Sequence, residues 1–307
     1  MIKTLLYLGA ALLLSACKGP EVRHTFYSQF SRTDSLQVNE IFSPVGNEVN
    51  NVGHHGPAVE NRYMALRFYF DGRGAIDVYS KSGKIDNELG RWLWYPSGEA
   101  QEKEGAGCDE YYVGKTVGLG GVRLWDGTEE VRLDATAGRR STVGRTDNGA
   151  FMEMISYGVP YQEDTVDVSV RVDVFDDDRW ATVTVRELSG KPLRFVTGVN
   201  YHPGAEKRQG SCPDRGRPAP RGKGLARIPG DHWVAVWGEH PADVSSHPAP
   251  IGAALRYDPS QFPETEDTGN AIRLISVPLE TFTTRIAAAS IKEDVLNTPE
   301  RFFAFVE

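Results

Sequence analysis

The sequence predicts an all-β fold, a large antiparallel β-sandwich within a single domain. Apolar and polar residues alternate with a period of two along many short segments, which is typical of half-buried strands. The 307 residues include Gly 32 and Pro 18, and this content indicates frequent turns. Only the C-terminus has a convincing helical pattern, and no internal repeat or linker divides the chain.

The clearest strand covers residues 166–174, where every second residue is valine and polar residues lie between the valines. A second alternating segment, residues 181–185, follows a turn that contains Asp176, Asp177 and Asp178. Together the two segments predict an antiparallel hairpin. An acidic triplet can bind calcium, but a solvated turn is the commoner role for such a sequence.

Further strands are predicted where similar apolar and β-branched segments recur. In chain order these segments are residues 63–70, 122–125, 131–133, 151–159, 193–201, 233–237, 253–257, 272–277 and 282–286. Asp126 and Gly127 predict a turn between two of them. A short C-terminal helix is expected, with Thr298 as its N-cap and Pro299 at its first position.

The first sixteen residues are expected to be a secretory signal rather than part of the fold. Lys3 precedes an apolar run over residues 5–14 that is too short to span a bilayer permanently. The sequence Leu-Ser-Ala-Cys then places Cys17 at the lipidation position of a bacterial lipoprotein, and Lys18 favours the outer membrane, facing the periplasm. The predicted organisation is a signal peptide at 1–16, a tether at 17–25 and one sandwich domain at 26–307.

Two cysteines remain after the lipidated one, Cys108 and Cys212. In an oxidising compartment such a pair commonly closes, and the alternative is two buried thiols. Cys108 and Cys212 are therefore a candidate disulfide.

The formal net charge of -8 argues against nucleic acid as the main partner, because phosphate binding needs a basic face. One segment, residues 207–227, is nevertheless strongly basic, with Asp214 as its only acid. It is either a solvated loop or a basic collar that attracts an anionic ligand such as a carboxylate or a sulfate. Its basic residues are Lys207, Arg208, Arg215, Arg217, Arg221, Lys223 and Arg227.

Three groups of residues could carry chemistry. His54 and His55 are adjacent in a loop bounded by Gly and Pro, shortly before Arg62. Because imidazole exchanges protons near neutral pH, either histidine could be a general acid or base, and loop stabilisation is the alternative. No Cys or His lies at a zinc-finger distance from the pair.

The second group is Tyr111 and Tyr112, which lead into the glycine-rich segment 113–121 containing Lys115. This segment is not a P-loop, because the first glycine of that motif is missing and no strand-to-helix context surrounds it. Its glycines would let the backbone pass close to a sugar or to another strand. A tyrosine near a lysine would suit proton abstraction, although paired aromatic residues in strands usually belong to the core.

The third group lies around the ends of two predicted strands and comprises Tyr201, His202, Trp237 and His240. Aromatic residues on a sandwich face can stack on sugar rings, but packing is the commoner role for an indole. Trp125 has the same two interpretations. The chain lacks a Gly-x-Ser-x-Gly elbow and a His-Glu-x-x-His motif, which excludes the usual serine hydrolases and zinc proteases.

Three motifs carry a resemblance to a known family: HHGPAVENRYMALRFYFDGRGAIDVY, DEYYVGKTVGLGGVRLWDG, and NYHPG paired with WGEHPADV. The chain resembles the family catalogued as domain of unknown function 4861 over residues 26–306. The resemblance implies a sandwich similar to the galactose mutarotase-like supersandwich of sugar enzymes. It also implies a secreted or lipid-anchored protein of a polysaccharide-degrading bacterium that removes water from the terminal uronic acid of ulvan oligosaccharides.

Such a dehydratase needs a base for the C5 proton, an acid for the departing C4 hydroxyl and a cation for the carboxylate. The resemblance implies Tyr112 or His55 as base, His202 or His54 as acid, and Arg62 or Lys115 as carboxylate partner. The remaining expected substrate contacts are Tyr111, Trp125, Tyr201, Trp237 and His240.

The expected partner is an acidic oligosaccharide, sulfated ones included. No cofactor is required for this reaction, but a divalent metal could replace the cation at the carboxylate. Three alternatives remain open: a polysaccharide lyase that breaks a uronate glycosidic bond, a non-catalytic surface glycan-binding lipoprotein, and a structural envelope protein.

Overall fold

The computed structural model describes residues 26–91, 103–212, 230–241 and 249–307, which form an antiparallel β-sandwich, as predicted. Its strands are β1 (Tyr27–Gln29), β2 (Glu40–Ser43), β3 (Ala58–Glu60), β4 (Ala65–Phe68), β5 (Ile76–Tyr79), β6 (Arg123–Trp125), β7 (Glu130–Val131), β8 (Arg139–Thr146), β9 (Gly149–Tyr161), β10 (Asp164–Phe175), β11 (Ala181–Glu187), β12 (Phe195–Asn200), β13 (Glu206–Ser211), β14 (His232–Gly238), β15 (Ile251–Tyr257), β16 (Glu264–Asp267), β17 (Ala271–Ile275) and β18 (Thr281–Ser290). Short 3-10 helices cover Gly53–His55 and Leu89–Arg91, and the α-helix α1 covers Pro299–Val306.

The valine-rich hairpin predicted from the sequence is β10 and β11. The two strands pair antiparallel, with Val170 opposite Val185 and Val172 opposite Val183. All four of these valines are buried in the main core. The alternation of valine with polar residues therefore corresponds to one buried face and one partly exposed face, as the period of two predicted.

Three sheets make up the two layers of the sandwich. One layer is a nine-stranded sheet in the order β13-β14-β15-β18-β11-β10-β9-β8-β2. The other layer contains a four-stranded sheet, β1-β3-β4-β5, and a five-stranded sheet, β16-β17-β12-β6-β7. A single hydrophobic core includes residues from all three sheets, such as Leu66, Val172 and Phe195, so the two smaller sheets pack against the same face of the large one.

The helix α1 covers part of the outer face of the nine-stranded sheet. It begins as predicted, with Pro299 in its first turn and the Thr298 side chain accepting a hydrogen bond from the Arg301 backbone N–H. Phe302 packs against Trp237, with ring centroids 5.7 Å apart. Small side chains beneath the helix make room for these rings, and they include Ala235, Ala254, Ala287 and Ala289.

The sequence did not predict β13, which overlaps the beginning of the segment expected to be a basic loop. Residues Glu206–Ser211 instead pair antiparallel with β14 at the edge of the large sheet. Most of the β13 side chains are exposed, so neither face of the strand needs apolar residues and no alternation exists to detect. The rest of the predicted collar, from Asp214 to Arg227, lies outside the described residues, as do the predicted signal peptide, Cys17 and the tether.

Cys108 and Cys212 are both buried and form no disulfide with each other, so the predicted disulfide is wrong and the alternative of two buried thiols is correct. The two sulfur atoms lie in different surroundings. Cys212 belongs to the aromatic cluster beneath α1, which also contains Trp180 and Trp233. The sulfur of Cys108 accepts a hydrogen bond of 3.4 Å from the Lys292 ammonium group.

Among the described residues, no helix is long and apolar enough to cross a bilayer.

Candidate functional site

Tyr112 is the most accessible of the four residues predicted to act as acid or base, which are His54, His55, Tyr112 and His202. Its side chain is 38% exposed, whereas that of the adjacent Tyr111 is buried. The two tyrosines belong to an extended segment without helix or strand structure that approaches the end of β12. Successive side chains of an extended segment point in opposite directions, which is why Tyr111 faces the core and Tyr112 faces solvent.

The backbone of Tyr112 is held by three side chains. Its N–H donates to Nδ1 of His240 at 2.9 Å. Its carbonyl oxygen accepts from Nδ2 of Asn200 at 2.8 Å and from Nε2 of His202 at 2.9 Å. These bonds fix both imidazoles: His240 carries its proton on Nε2, and a neutral His202 has its lone pair on Nδ1.

The rings of this group also contact one another. The centroids of Tyr112 and His202 are 5.7 Å apart, and those of His202 and His240 are 4.7 Å apart. The buried Tyr111 ring lies 4.4 Å from His240. Burial lowers the pKa of His240 to about 3, and the nearby His202 contributes to the shift. His240 is therefore neutral at physiological pH, while His202 is the more accessible imidazole.

Strand ends bring these residues together. Asn200 is the last residue of β12, so His202 follows directly, and His240 follows the end of β14. The segment after Tyr112 runs beside β12, with the Asn200 N–H donating to the Gly118 carbonyl at 3.2 Å. A Cβ at Gly118 would lie 2.0 Å from the carbonyl oxygen of Ile76, so this glycine permits a close approach to another strand, as predicted.

Lys115 is the accessible cation of the group. It lies in a turn in which the Thr116 N–H donates to the Val113 carbonyl at 3.2 Å. Lys115 is exposed, and no ion pair to it is present in the part of the chain that the structure describes. Its ammonium group is thus available to an anionic ligand.

Tyr201, by contrast, is buried, and its hydroxyl forms a polar triad with Lys207 and Asp267. The Lys207 ammonium donates to Asp267 Oδ2 at 2.7 Å and to the Tyr201 hydroxyl at 3.1 Å, and that hydroxyl donates to Asp267 Oδ1. The hydrogen bond from Lys207, followed by that from Tyr201, lowers the pKa of Asp267 to about 2. Lys207 and Arg208 of the predicted collar are both paired with carboxylates, Arg208 with Glu206 at 2.7 Å.

A pocket of about 200 Å³ lies beside Lys115 on the outer face of the five-stranded sheet. Its wall on one side includes Lys115 and Val117, and its wall on the other side includes Asn270 and Arg273. The Asn270 carbonyl accepts a hydrogen bond of 2.9 Å from the Tyr201 N–H, which connects the pocket to the triad.

His54 and His55 lie in a second polar cluster, around β4 and β5. His54 is only 1% exposed, and its Nε2 donates to the Leu89 carbonyl at 3.0 Å, so it cannot touch a substrate. His55 is half-buried, donates from Nδ1 to the Val49 carbonyl at 2.8 Å, and stacks on Tyr69. Burial lowers the pKa of His55, and the nearby arginines Arg67 and Arg73 contribute.

The centre of this second cluster is Arg67, which sequence reasoning missed. Its Nε donates to Asp77 Oδ2 at 2.9 Å, and its Nη2 donates to Asp109 Oδ2 at 3.2 Å. The Tyr69 hydroxyl also donates to Asp77 Oδ2, at 2.9 Å. The sequence does contain a signal for this cluster. Arg67 and Asp77 each interrupt an apolar strand at a position whose neighbours are buried.

Three other predicted residues lie apart from Tyr112. Arg62 pairs with Asp177 at 3.6 Å, and both side chains are exposed beside the turn between β10 and β11. Trp125 is buried, and the Arg273 guanidinium lies 4.9 Å from its ring centroid. Trp237 is buried beneath α1. Neither indole presents a face to a sugar, so these two predicted contacts are wrong.

Residues of one surface region thus combine an imidazole with a fixed tautomer, a solvent-facing phenol and a lysine that is available to an anion. This combination suits proton transfer next to a carboxylate. Within the described residues, no group of three or more His, Cys, Asp or Glu side chains is arranged to hold a metal ion.

Over residues 18–307 the sequence matches the family described as Domain of unknown function (DUF4861). No curated protein matches it. Among solved structures, the crystal structure of 4-alpha-glucanotransferase from Thermococcus litoralis aligns with a TM-score of 0.34 and 13% sequence identity, covering 76% of this chain. The aligned region spans 37% of that enzyme's chain.

Proposed function

The chain belongs to the DUF4861 family, and we propose that it is a carbohydrate-active dehydratase. Its substrates are oligosaccharides with a uronate at the non-reducing end, sulfated ones such as ulvan fragments included, and its product is an unsaturated terminal uronic acid. The observation that carries the proposal is the contact of Tyr112 with His202, with the His202 tautomer set by the Tyr112 carbonyl, three residues before the exposed Lys115 in the same segment. The proposed location is the outer membrane, with a lipid anchor at Cys17.

His202 is the base in this proposal. Because its Nε2 donates to the Tyr112 carbonyl, the lone pair of the neutral ring lies on Nδ1, where it can accept the C5 proton. His240 is less suited, since its Nδ1 already accepts the Tyr112 N–H and it is buried. This assignment reverses the expectation from the sequence, in which Tyr112 or His55 was the base and His202 or His54 the acid.

Lys115 binds the uronate carboxylate. Negative charge develops on the carboxylate as the C5 proton leaves, so a cation at this position stabilises the transition state more than the ground state. Arg62, the alternative cation, is paired with Asp177 at the hairpin turn, whereas Lys115 lies three residues beyond Tyr112.

Tyr112 is the acid. The electrons of the broken C5–H bond form the C4=C5 double bond, and the C4–O bond breaks as the Tyr112 hydroxyl protonates the departing oxygen, which leaves as water. His202 then holds one extra proton and Tyr112 lacks one. Transfer of that proton from His202 to Tyr112 restores the starting state, so the reaction consumes no cofactor.

The first experiment tests the reaction itself. Purified protein is incubated with a uronate-terminated oligosaccharide, and ultraviolet absorbance and product mass are followed. We expect an unsaturated uronyl chromophore together with the loss of one water from an otherwise intact chain. Shortened products with the same chromophore would identify a polysaccharide lyase instead. Tight binding without any conversion would identify a glycan-binding protein.

The second experiment tests the assigned residues. His202→Ala and Tyr112→Phe are each expected to lower kcat by about 100-fold or more, because each removes a proton-transfer group. Matched controls are His232→Ala and Tyr157→Phe, which change a half-buried histidine and a half-buried tyrosine on β14 and β9. Wild-type kcat in His202→Ala, with the fold confirmed by circular dichroism, would refute the assignment.

A further inference from the structure

We propose that the pocket beside Lys115 binds the ring of the terminal uronate, and that Arg273 holds the uronate carboxylate together with Lys115. Arg273 thereby makes the site select uronates over neutral hexoses, which carry a hydroxymethyl group in place of the carboxylate. The inference rests on the proposed function and adds to it a second cation and a place for the sugar ring.

Both walls of the pocket lead to Tyr112 and His202. Lys115, on one wall, lies three residues beyond Tyr112 in the same segment. Asn270, on the opposite wall, accepts the Tyr201 N–H through its backbone carbonyl at 2.9 Å, and His202 directly follows Tyr201. A ring bound between the two walls therefore extends toward the proposed base and acid.

A glycine leaves the space beside Arg273 open. Gly198 of β12 lies opposite Arg273 of β17 in the antiparallel pairing of the two strands. Opposite residues of such a pair present their side chains on the same face of the sheet, so the missing side chain at Gly198 exposes Arg273 to the pocket. A Cβ at Gly198 would lie 2.2 Å from the Ile272 carbonyl oxygen, so a larger residue does not fit there.

Arg273 keeps hydrogen-bond donors for a ligand. Its side chain is partly exposed, and its Nε and Nη2 donate to Glu266 while its Nη1 donates to Glu130 at 3.2 Å. A guanidinium group has five N–H groups, so one on each terminal nitrogen takes no part in these bonds. Two such groups match the two oxygens of a carboxylate.

Asn270 adds neutral donors on the same wall. Its Oδ1 accepts a hydrogen bond of 2.8 Å from the Thr268 hydroxyl. This bond identifies the oxygen of the amide and leaves the two N–H groups of Nδ2 for a ligand.

The charges around the pocket match a single carboxylate. The charged residues that line it are Lys115, Arg273 and Glu130. Glu130 also accepts from Arg123 Nη1 at 2.8 Å. Arg273 is also paired with Glu266. Three cations and two carboxylates leave one positive charge, which one uronate carboxylate neutralises and a neutral hexose does not.

The test measures carboxylate preference by calorimetry, as the ratio of affinities for a disaccharide that ends in glucuronate and its counterpart that ends in glucose. The parent protein is His202→Ala, so that turnover does not consume the ligand. We expect Arg273→Gln to lower the preference for glucuronate about tenfold through the loss of charge-assisted hydrogen bonds. The matched control is Arg194→Gln, which breaks an ion pair of 2.6 Å with Glu264 on the same edge strand, β16, but does not line the pocket, and it should keep the preference.

A second variant leaves the ion pairs of Arg273 intact. Asn270→Asp keeps the acceptor for Thr268 at an exposed position and places a negative charge on the pocket wall. We expect it to lower the preference for glucuronate roughly fivefold through charge repulsion.

An unchanged preference in Arg273→Gln, or in Asn270→Asp if only that variant folds, would overturn the inference. So would the absence of any preference in the parent protein, or an equal loss in Arg194→Gln, which would assign the effect to β16. If wild type forms no unsaturated product but Arg273→Gln still lowers the preference, the dehydratase proposal fails and the uronate site stands. Dehydration by wild type with an unchanged preference in Arg273→Gln would give the opposite result.

Discussion

At the scale of single residues, Asp109 is a carboxyl group whose pKa is strongly raised by its surroundings. Its side chain is 17% exposed, and it shares the guanidinium of Arg67 with Asp77. Burial raises its pKa to about 7, and the neighbouring Asp77 charge adds to the effect. The folded protein therefore holds a proton on Asp109 between about pH 4 and pH 7, where the unfolded chain has lost it.

The sign of this shift predicts how stability depends on pH. Because the folded-state pKa is raised, the contribution of Asp109 to stability falls as pH rises from about 4 to 7 and is constant above that range. Asp109→Asn keeps an acceptor for Arg67 without the charge, so we expect it to be roughly 2 kcal/mol more stable than wild type at pH 8 and equal near pH 4. Urea unfolding at several pH values measures both differences.

Asp164→Asn is the control for this comparison, because Asp164 is an exposed carboxylate paired with Lys191. An Asp109→Asn protein whose stability follows the wild-type pH profile would contradict the raised pKa.

Sequence reasoning found some residues of the candidate site and missed the contacts that orient them. Tyr112 was named because it leads into the glycine-rich segment that contains Lys115, and His202 and His240 were named because they lie near the ends of predicted strands. The hydrogen bonds to the Tyr112 backbone could not be predicted, since they join positions 88 and 128 residues apart. The burial of His54 could not be predicted either, because nothing in the motif shows which loop covers it.

At the scale of elements, β8 was not predicted from the sequence, and its residues show why. Its inner face carries Arg139, Ser141 and Val143, so polar residues occupy buried positions and weaken the apolar alternation. Arg139 is nevertheless built into the fold: its Nε donates to the Gly46 carbonyl at 2.9 Å, and its Nη2 donates to the Leu133 carbonyl. Burial lowers the pKa of Arg139 to about 10. Strands with valine on the inner face, such as β10, were predicted from the same rule.

Arg139→Met is expected to destabilise the protein by about 3 kcal/mol, because it leaves two buried carbonyl groups without their donors. The adjacent Arg140→Met is the control, since Arg140 is exposed and lies 3.8 Å from Glu40. Chemical unfolding of the two variants measures the difference. Equal stability of the two variants would mean that the buried Arg139 guanidinium does not stabilise the fold.

At the scale of the whole molecule, one core joins three sheets, and an aromatic cluster beneath α1 adds a second apolar layer on the outside. The period-two pattern predicted this class of fold because the burial of one face of a strand is visible in the sequence of that strand alone. The grouping into sheets of nine, five and four strands depends on pairings between distant segments, which no local pattern encodes.

The absence of a disulfide between Cys108 and Cys212 gives a prediction for the intact molecule. Peptide mass spectrometry without reduction should find Cys108 and Cys212 in separate peptides, and reductant should leave Tm unchanged. The native protein should also react slowly with a thiol reagent at both positions, because both side chains are buried. A linked peptide containing both cysteines would overturn the structural assignment.

The way Tyr112 is held has a consequence for design. The three hydrogen bonds that anchor it are made by the main-chain N–H and carbonyl of Tyr112. Their partners are the side chains of His240, Asn200 and His202, and none of the three bonds involves the phenol. A different side chain can therefore be installed at position 112 while its point of attachment stays fixed. A library limited to that codon would therefore sample new reactivities on an intact scaffold.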